Sequence, residues 1–460
     1  MGSISNPLKV GIIGAGIAGL CAGIAVSRAG HKATIYEKSS FKNEIGAAIS
    51  ITPNGNRVLS KWGFNYAAAG ETDKCQFRGV DPVSMQLRHK TDLRDVRKDF
   101  GEGFNAFHRV DLHRELRLMA EKAGVEIVLS HEVVDLQCED GIIKFKDGKE
   151  VKKDLVVVAD GLKSNFIQTV TATNISPKKI GKSVFRGLIP ISDLMSDPII
   201  APYFENEGSG FFSGYSPLNS GVMFITYPCR NDEIMNVAVF HTTRSGHEDD
   251  EGWSSPATID EVLSVLDGLH PFWSQIVKKG DDDLFKCFSI TFRDAIPRYS
   301  NGRVILMGDA AHPMQPTHAQ GACVSIEDAA TLETFLSQVQ SSDIPSLCQL
   351  YSDFRIPRDN TTQLYSNVMF YKNDGDPEAG KKYEAEIRKY YPAPDELMTF
   401  VQTPWEGPHQ RFWYGYHVYE EAKKAMEWWK TRKEGERLPR GIVKHFFNMG
   451  VREGDVEGGK

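Results

Sequence analysis

The chain has 460 residues, more than one hydrophobic core ordinarily supports, so two or more closely joined domains are expected. Its 54 Lys and Arg against 61 Asp and Glu give a net charge of −7, with no basic block, which argues against nucleic acid as a partner. Seven scattered cysteines (Cys21, Cys75, Cys138, Cys229, Cys287, Cys323, Cys348), odd in number and without CxxC spacing, argue against a disulfide framework, a zinc or other metal site and a thiol redox pair, and for a reducing, cytoplasmic setting.

Residues 10–13 form an apolar strand that runs into Gly14-Ala15-Gly16-Ile17-Ala18-Gly19, and a helix is predicted over 16–28. Strand, glycine turn and helix in this order make a dinucleotide-binding fingerprint. Gly14 permits the tight turn, Gly16 lets a pyrophosphate approach the backbone, and Gly19 lets helix and strand pack closely. The helix N-terminus adds free N–H groups and a positive dipole end. A second strand over 33–36 delivers Glu37, 18 residues past Gly19, where such folds place the acceptor for ribose hydroxyls. The stretch from Val10 to Val26 holds only apolar residues and glycine, as a membrane span or signal peptide would. Its five glycines and the placement of Glu37 favour the nucleotide reading, and no later segment approaches a span.

Ile45-Gly46-Ala47-Ala48-Ile49 is a small-residue passage that lets backbone run close to something bulky, or an ordinary Gly-Ala turn. His108-Arg109-Val110-Asp111-Leu112 opens a helix with Leu112, Leu116 and Met119 on one side; Arg109 is either a phosphate clamp or a solvated helix-start charge. A hairpin over 132–151 precedes an apolar strand over 155–159 that ends in Asp160-Gly161. From Gly181 to about Phe292 the texture changes to strands (184–189, 222–227, 236–242) with long connections, an inserted, mostly antiparallel substrate sheet. That sheet is expected to carry Arg186 and Tyr227 outward, either toward the flavin side or simply on a solvated face, with Tyr215 as the alternative to Tyr227. A buried strand over 303–307 then enters a second turn, Gly308-Asp309-Ala310-Ala311-His312-Pro313, and Gln320-Gly321-Ala322 starts a helix running to about Leu336. Asp309 at a strand end offers a carboxylate to hydroxyl groups, and the helix N-terminus offers its dipole to developing negative charge.

Together these motifs resemble the group A, FAD-dependent aromatic monooxygenases of the p-hydroxybenzoate hydroxylase superfamily, in particular the salicylate-hydroxylase-like and fungal secondary-metabolite branches, over roughly residues 8–340. The resemblance implies an α/β fold: a Rossmann-like FAD-binding domain (1–180 and 293–370), the inserted sheet domain (181–292), and a helical, aromatic C-terminal region with a mobile tail (371–460). It implies that Gly14, Gly16, Gly19 and Glu37 bind the ADP half of FAD, that Ala48 and Arg109 add contacts, that Asp160 belongs to the motif associated with FAD and NAD(P)H, that Asp309 holds the ribityl chain, and that Gly321 and Ala322 sit by the isoalloxazine. Two departures stand out. Ile167 occupies a position where the family often has arginine, and Thr317-His318-Ala319-Gln320 replaces the commoner Gly-Gln-Gly loop, so His318 either shapes the substrate pocket or lies on the surface.

The implied reaction is flavin reduction by NADPH or NADH as a transient co-substrate, then C4a-hydroperoxyflavin formation from O2 and transfer of one oxygen atom to an electron-rich aromatic substrate. Arg186 would bind a phenolate, carboxylate or carbonyl oxygen, and Tyr227 would hydrogen-bond it or relay its proton. The scaffold serves phenolic acids, polyketide phenols and indole alkaloids, by hydroxylation, dearomatisation or epoxidation. The aromatics Trp405, Phe412, Trp413, Tyr414, Tyr416, Trp428 and Trp429 either cap a bulky substrate or pack against the first domain or a second subunit. The protein is expected as a monomer or homodimer. A flavin dehydrogenase or oxidase that inserts no oxygen, and a non-catalytic nucleotide-binding protein, are the competing classes.

Overall fold

The computed structural model describes residues 6–41, 46–205, 207–216, 221–246, 255–281, 283–373, 377–390, 407–439 and 441–443; Trp405 and the tail after Phe447 lie outside the described residues. A six-stranded sheet runs in the order Ser300–Asn301, Val304–Leu306, Leu155–Val158, Lys9–Ile13, Lys32–Tyr36, Glu126–Val128. All its pairings are parallel except that of Ser300–Asn301 with Val304–Leu306. Leu155–Val158 is buried at every position, as an inner parallel strand covered on both faces must be. The helices Ile17–Arg28 and Gly321–Phe335 pack together against this core. The predicted hairpin over 132–151 is a three-stranded meander of Val133–Gln137, Ile142–Phe145 and Glu150–Lys152.

The second sheet has eight strands, in the order Ser255–Pro256, Lys286–Phe292, Lys178–Pro190, Ile234–Thr242, Val222–Cys229, Gly210–Ser216, Gln76–Val80, Leu87–Asp92. Every pairing is antiparallel except that of Gly210–Ser216 with Gln76–Val80. The two last strands come from upstream of residue 181; Leu87–Asp92 is largely polar and exposed, so it carries no apolar alternation to mark it. Because side chains alternate along a strand, Phe185, Phe212, Phe224, Val237 and Val239 point to one face, where they form a core with Phe272 and Trp273 of the helix Pro271–Val277. Arg186, Ile225 and Tyr227 point to the other.

A small antiparallel sheet of Ala48–Ile51, Asn105–His108 and Thr72–Asp73 lies between the two, with Ala48 opposite His108. The helix Ile344–Asn373 runs across the expected boundary at 370, and beyond it the described residues of the C-terminal region contain the helices Pro377–Tyr390, Gly407–Tyr414 and Val418–Thr431.

Candidate active site

Gly14 has φ +95°, and a Cβ there would stand 2.6 Å from the Ala159 carbonyl oxygen; a Cβ on Gly19 would stand 1.9 Å from the Gly14 carbonyl oxygen. Both positions therefore require glycine, one for conformation and both for packing. Gly16 differs: a Cβ would meet nothing within 4 Å, so the space over the start of Ile17–Arg28 is open. That helix start has no side-chain cap, which leaves its N–H groups free for an anion. The Glu37 carboxylate sits at the mouth of the turn, accepting the N–H groups of Ala15 and Ser39 at 2.8 Å each.

In the second turn Gly308 has φ +61° and its N–H donates to Asp328 Oδ2 at 3.1 Å. Asp309 is solvent-accessible yet deep in the protein, the signature of a cavity wall; burial holds its carboxyl above the ordinary value against the opposing charges of His312, Arg293 and Arg109. Gly321 opens the helix Gly321–Phe335 with nothing within 4 Å of a built Cβ, and Ala322 beside it is half-buried. Asp160, just past the central strand Leu155–Val158, is pushed up to about 6 by burial, and its buried Oδ1 has no hydrogen-bond partner among the described residues. Gly161 beside it has φ +89°.

On the facing sheet, burial lowers the Arg186 guanidinium, and its Nε is buried without a hydrogen-bond partner among the described residues. Burial pushes Tyr227 up to about 12, with Arg186 opposing; its hydroxyl donates to the Ala48 carbonyl at 3.1 Å. Arg109, exposed at the start of the helix Arg109–Lys122, lowers both Asp309 and Arg186 through its charge. Ala48, Arg109, Asp309, Arg186 and Tyr227 thus converge from five separate stretches of chain. Tyr215 shares the Arg186 face but pairs with Met223, further along the sheet.

Several partners were not legible beforehand. Arg293 is fully buried and donates to the carbonyls of Ala310 and Ala311 at 2.7 and 2.8 Å, bracing the second turn. Behind that turn, His312 contacts Asp328 at 2.7 Å, Arg355 bonds both Asp328 and Asp359, and Arg358 bonds Glu327 twice at 2.7 Å. His312, Asp328 and Asp359 lie close enough together to suggest a metal group, but Arg355 already occupies both carboxylates. The spacing His312 to Asp328, with Arg355 and Arg358 one turn apart on a later helix, is the only trace of this network in the chain.

His318 is not a surface residue: it is 2% exposed, its ring packs on Tyr365 and Trp413, and burial draws it well below its ordinary value. Phe412, Trp413 and Tyr414 are buried in one cluster with Phe104 and Phe211, and Trp428 and Trp429 pack on the first domain's core. Ile167 is buried in the short helix Ile167–Thr171 and brings no charge.

Two unobstructed helix starts, at Gly16 and Gly321, with the carboxylates of Glu37 and Asp309 beside them, are a donor and acceptor set that fits FAD: N–H groups for its pyrophosphate, carboxylates for its hydroxyls. Comparison with known proteins agrees. Residues 7–362 match the FAD binding domain family. Hispidin-3-hydroxylase of Neonothopanus nambi is 31% identical over 443 residues, covering 93% of this chain and 98% of its own. 3-Hydroxybenzoate 6-hydroxylase 1 of Aquipseudomonas alcaligenes is 30% identical over 371 residues, covering 77% of this chain and 86% of its own. The solved salicylate hydroxylase substrate complex has the same fold, with a TM-score of 0.72 and 24% identity over 92% of this chain and 98% of its own. No helix among the described residues is long and apolar enough to cross a membrane. The chain belongs to the FAD binding domain family and, within it, to the FAD-dependent monooxygenases.

Proposed function

We propose that this monooxygenase hydroxylates an electron-rich phenolic ring, a bulky secondary metabolite rather than an indole, using NADPH or NADH and O2 in the cytoplasm. Residues 1–180 and 293–370 would hold FAD, apart from the strands Gln76–Val80 and Leu87–Asp92, which join 181–292 in presenting the substrate, and the helix Gly407–Tyr414 packs beside Phe211 and Tyr227. FAD supplies the oxygen activation after NAD(P)H has reduced it. The observation that carries this reading is the convergence of Arg186 and Tyr227 on the sheet face beside Ala48, with the Arg186 Nε buried and unpartnered among the described residues. A buried guanidinium in that state is poised for an anionic oxygen, and a phenolate is both anionic and electron-rich at the ring carbons.

In this mechanism Arg186 binds the phenolate oxygen and fixes the ring's orientation. Tyr227 donates its one hydroxyl proton to the Ala48 carbonyl at 3.1 Å when no substrate is bound, and turns that proton to the phenolate oxygen when it is. Phe211 and Ile225, packed with Tyr227 in one apolar cluster, exclude water from the reacting centre. Asp309 and the start of Gly321–Phe335 hold the flavin, and Gly14, Gly16, Gly19, Glu37, Ala48, Arg109, Asp160 and Ala322 complete its contacts. None of the seven cysteines forms a disulfide among the described residues, which supports the cytoplasmic placement.

The test is anaerobic mixing of the holoenzyme with NADPH or NADH, with and without hispidin, 3-hydroxybenzoate and indole, followed by oxygen-18 gas and mass analysis. Faster flavin bleaching with a phenol and a product heavier by one labelled oxygen is expected. Stimulation by indole alone would move the substrate class, and unlabelled product would move the reaction to a dehydrogenase or oxidase.

A further inference from the structure

Lys74 is 3% exposed, and among the described residues no carboxylate lies within ion-pair distance of it. Its Nζ donates to the Pro228 carbonyl at 2.5 Å and stands over two aromatic rings, 4.8 Å from the centroid of Tyr227 and 5.4 Å from that of Phe211. A buried ammonium with one acceptor and no counter-ion is costly. Ring faces repay part of that cost by cation–π attraction, which is strongest where water is excluded. Lys74 is itself fixed, since its backbone N–H donates to the Phe104 carbonyl at 2.8 Å just after the strand Thr72–Asp73.

The contacts form a chain. Lys74 holds the backbone at Pro228, the residue after Tyr227, and the Tyr227 ring; the Tyr227 hydroxyl holds the Ala48 carbonyl; the Ala48 N–H bonds Asn236 Oδ1 at 3.4 Å on the neighbouring strand. We propose that Lys74 is a positioning residue of the oxygenation site, whose ammonium clamps Tyr227 against the Ala48 passage and so sets where the substrate oxygen is held. This inference rests on the reading of Tyr227 as a substrate-binding group. The groups that face the Lys74 ammonium are Cys75 beside it, Cys229 and Tyr227 on the strand Val222–Cys229, and Asp232 in the following turn. Burial outweighs their attraction and draws the lysine down to about 7, so the clamp changes charge near neutral pH.

The experiment uses FAD-loaded wild type, Lys74→Met, Lys74→Arg and Tyr227→Phe, with hispidin-stimulated NADPH oxidation followed between pH 6 and 9 and thermal melts at both ends. Wild type is expected to lose kcat/KM above neutrality as the clamp is deprotonated. Lys74→Met should lose that dependence and about tenfold in kcat/KM. Lys74→Arg should restore activity and carry it to higher pH. Because the buried charge opposes folding most where it is protonated, Lys74→Met should melt higher than wild type at pH 6 and by less at pH 9. In the Tyr227→Phe background the Lys74→Met loss should shrink, since the effect travels through that ring. A Lys74→Met enzyme with the wild-type pH profile, or one that melts lower at pH 6 than wild type, overturns the inference. If hispidin does not stimulate wild type, the same comparison is made with whichever ligand of the first test does, so that a failed substrate reading and a failed inference stay distinct.

Discussion

Gly308 rests against Ala18: a Cβ built on Gly308 would stand 2.7 Å from the Ala18 Cβ. The two turns of the flavin site, 290 residues apart in sequence (308 − 18) with the whole inserted sheet between them, are in direct contact, and each depends on the other having little bulk. Gly308 also has φ +61°, so any side chain there is strained as well as crowded. Gly308→Ala is expected to cost roughly 2–4 kcal/mol from strain and overpacking. It should purify largely without flavin, read as the ratio of 450 nm to 280 nm absorbance together with a lowered Tm.

Gly16 gives the opposite outcome. Nothing lies within 4 Å of a Cβ there and its φ is −70°, so Gly16→Ala should leave the apoprotein within about 0.5 kcal/mol of wild type. The added methyl points into the space a pyrophosphate would use, and FAD affinity should fall by about tenfold or more, near 1.4 kcal/mol. Flavin fluorescence titration of the apoprotein, beside its thermal melt, separates the two effects.

Arg186 and Tyr227 should divide by chemistry. Arg186→Met removes the group that charge-pairs with the substrate and is expected to lower kcat/KM by about 100-fold or more, with Arg186→Lys intermediate because lysine lacks the planar fork. Tyr227→Phe removes one hydrogen bond and should cost about 10-fold. Flavin content should stay at the wild-type level in all three, which steady-state kinetics and an absorbance spectrum will check.

His312 sets an alkaline limb on stability. Burial alone would pull its imidazole down, but Asp328 at 2.7 Å and Asp359 overcome that and push it up to about 9. A histidine raised in the folded state contributes stability that is complete below its unfolded value near 6.5 and is lost as pH rises through about 9. That contribution is on the order of 3 kcal/mol. Melts from pH 6 to 10 should show the stability advantage of wild type over His312→Gln shrinking across this window, a difference from which the opposite trend of Lys74, present in both, cancels.

Legibility followed the range of the forces involved. Gly14, Gly16, Gly19 and Glu37 were readable because a nucleotide turn is local: φ, backbone clearance and helix start are fixed within a few residues. Gly308-Asp309 was readable for the same reason; Arg186 and Tyr227 were expected on the flavin side of the inserted sheet, but only the register between strands puts both on one face. The strands Gln76–Val80 and Leu87–Asp92 were not, since a polar edge is recruited by its neighbour's free backbone groups and not by its own pattern. His318 looked like either pocket or surface, and only the packing of Tyr365 and Trp413 around it settled its burial.

What the sequence alone determined is the cofactor class and the order of the parts, because those rest on short motifs whose chemistry demands particular residues at particular spacings. The tertiary structure alone decided which charges meet. Arg293 under Ala310 and Ala311, Arg355 between Asp328 and Asp359, and Lys74 beneath Tyr227 each join stretches of chain far apart in sequence. Whether a buried charge is paired, braced or left to do chemistry depends on the low-dielectric surroundings that long-range packing creates, and no local pattern records them.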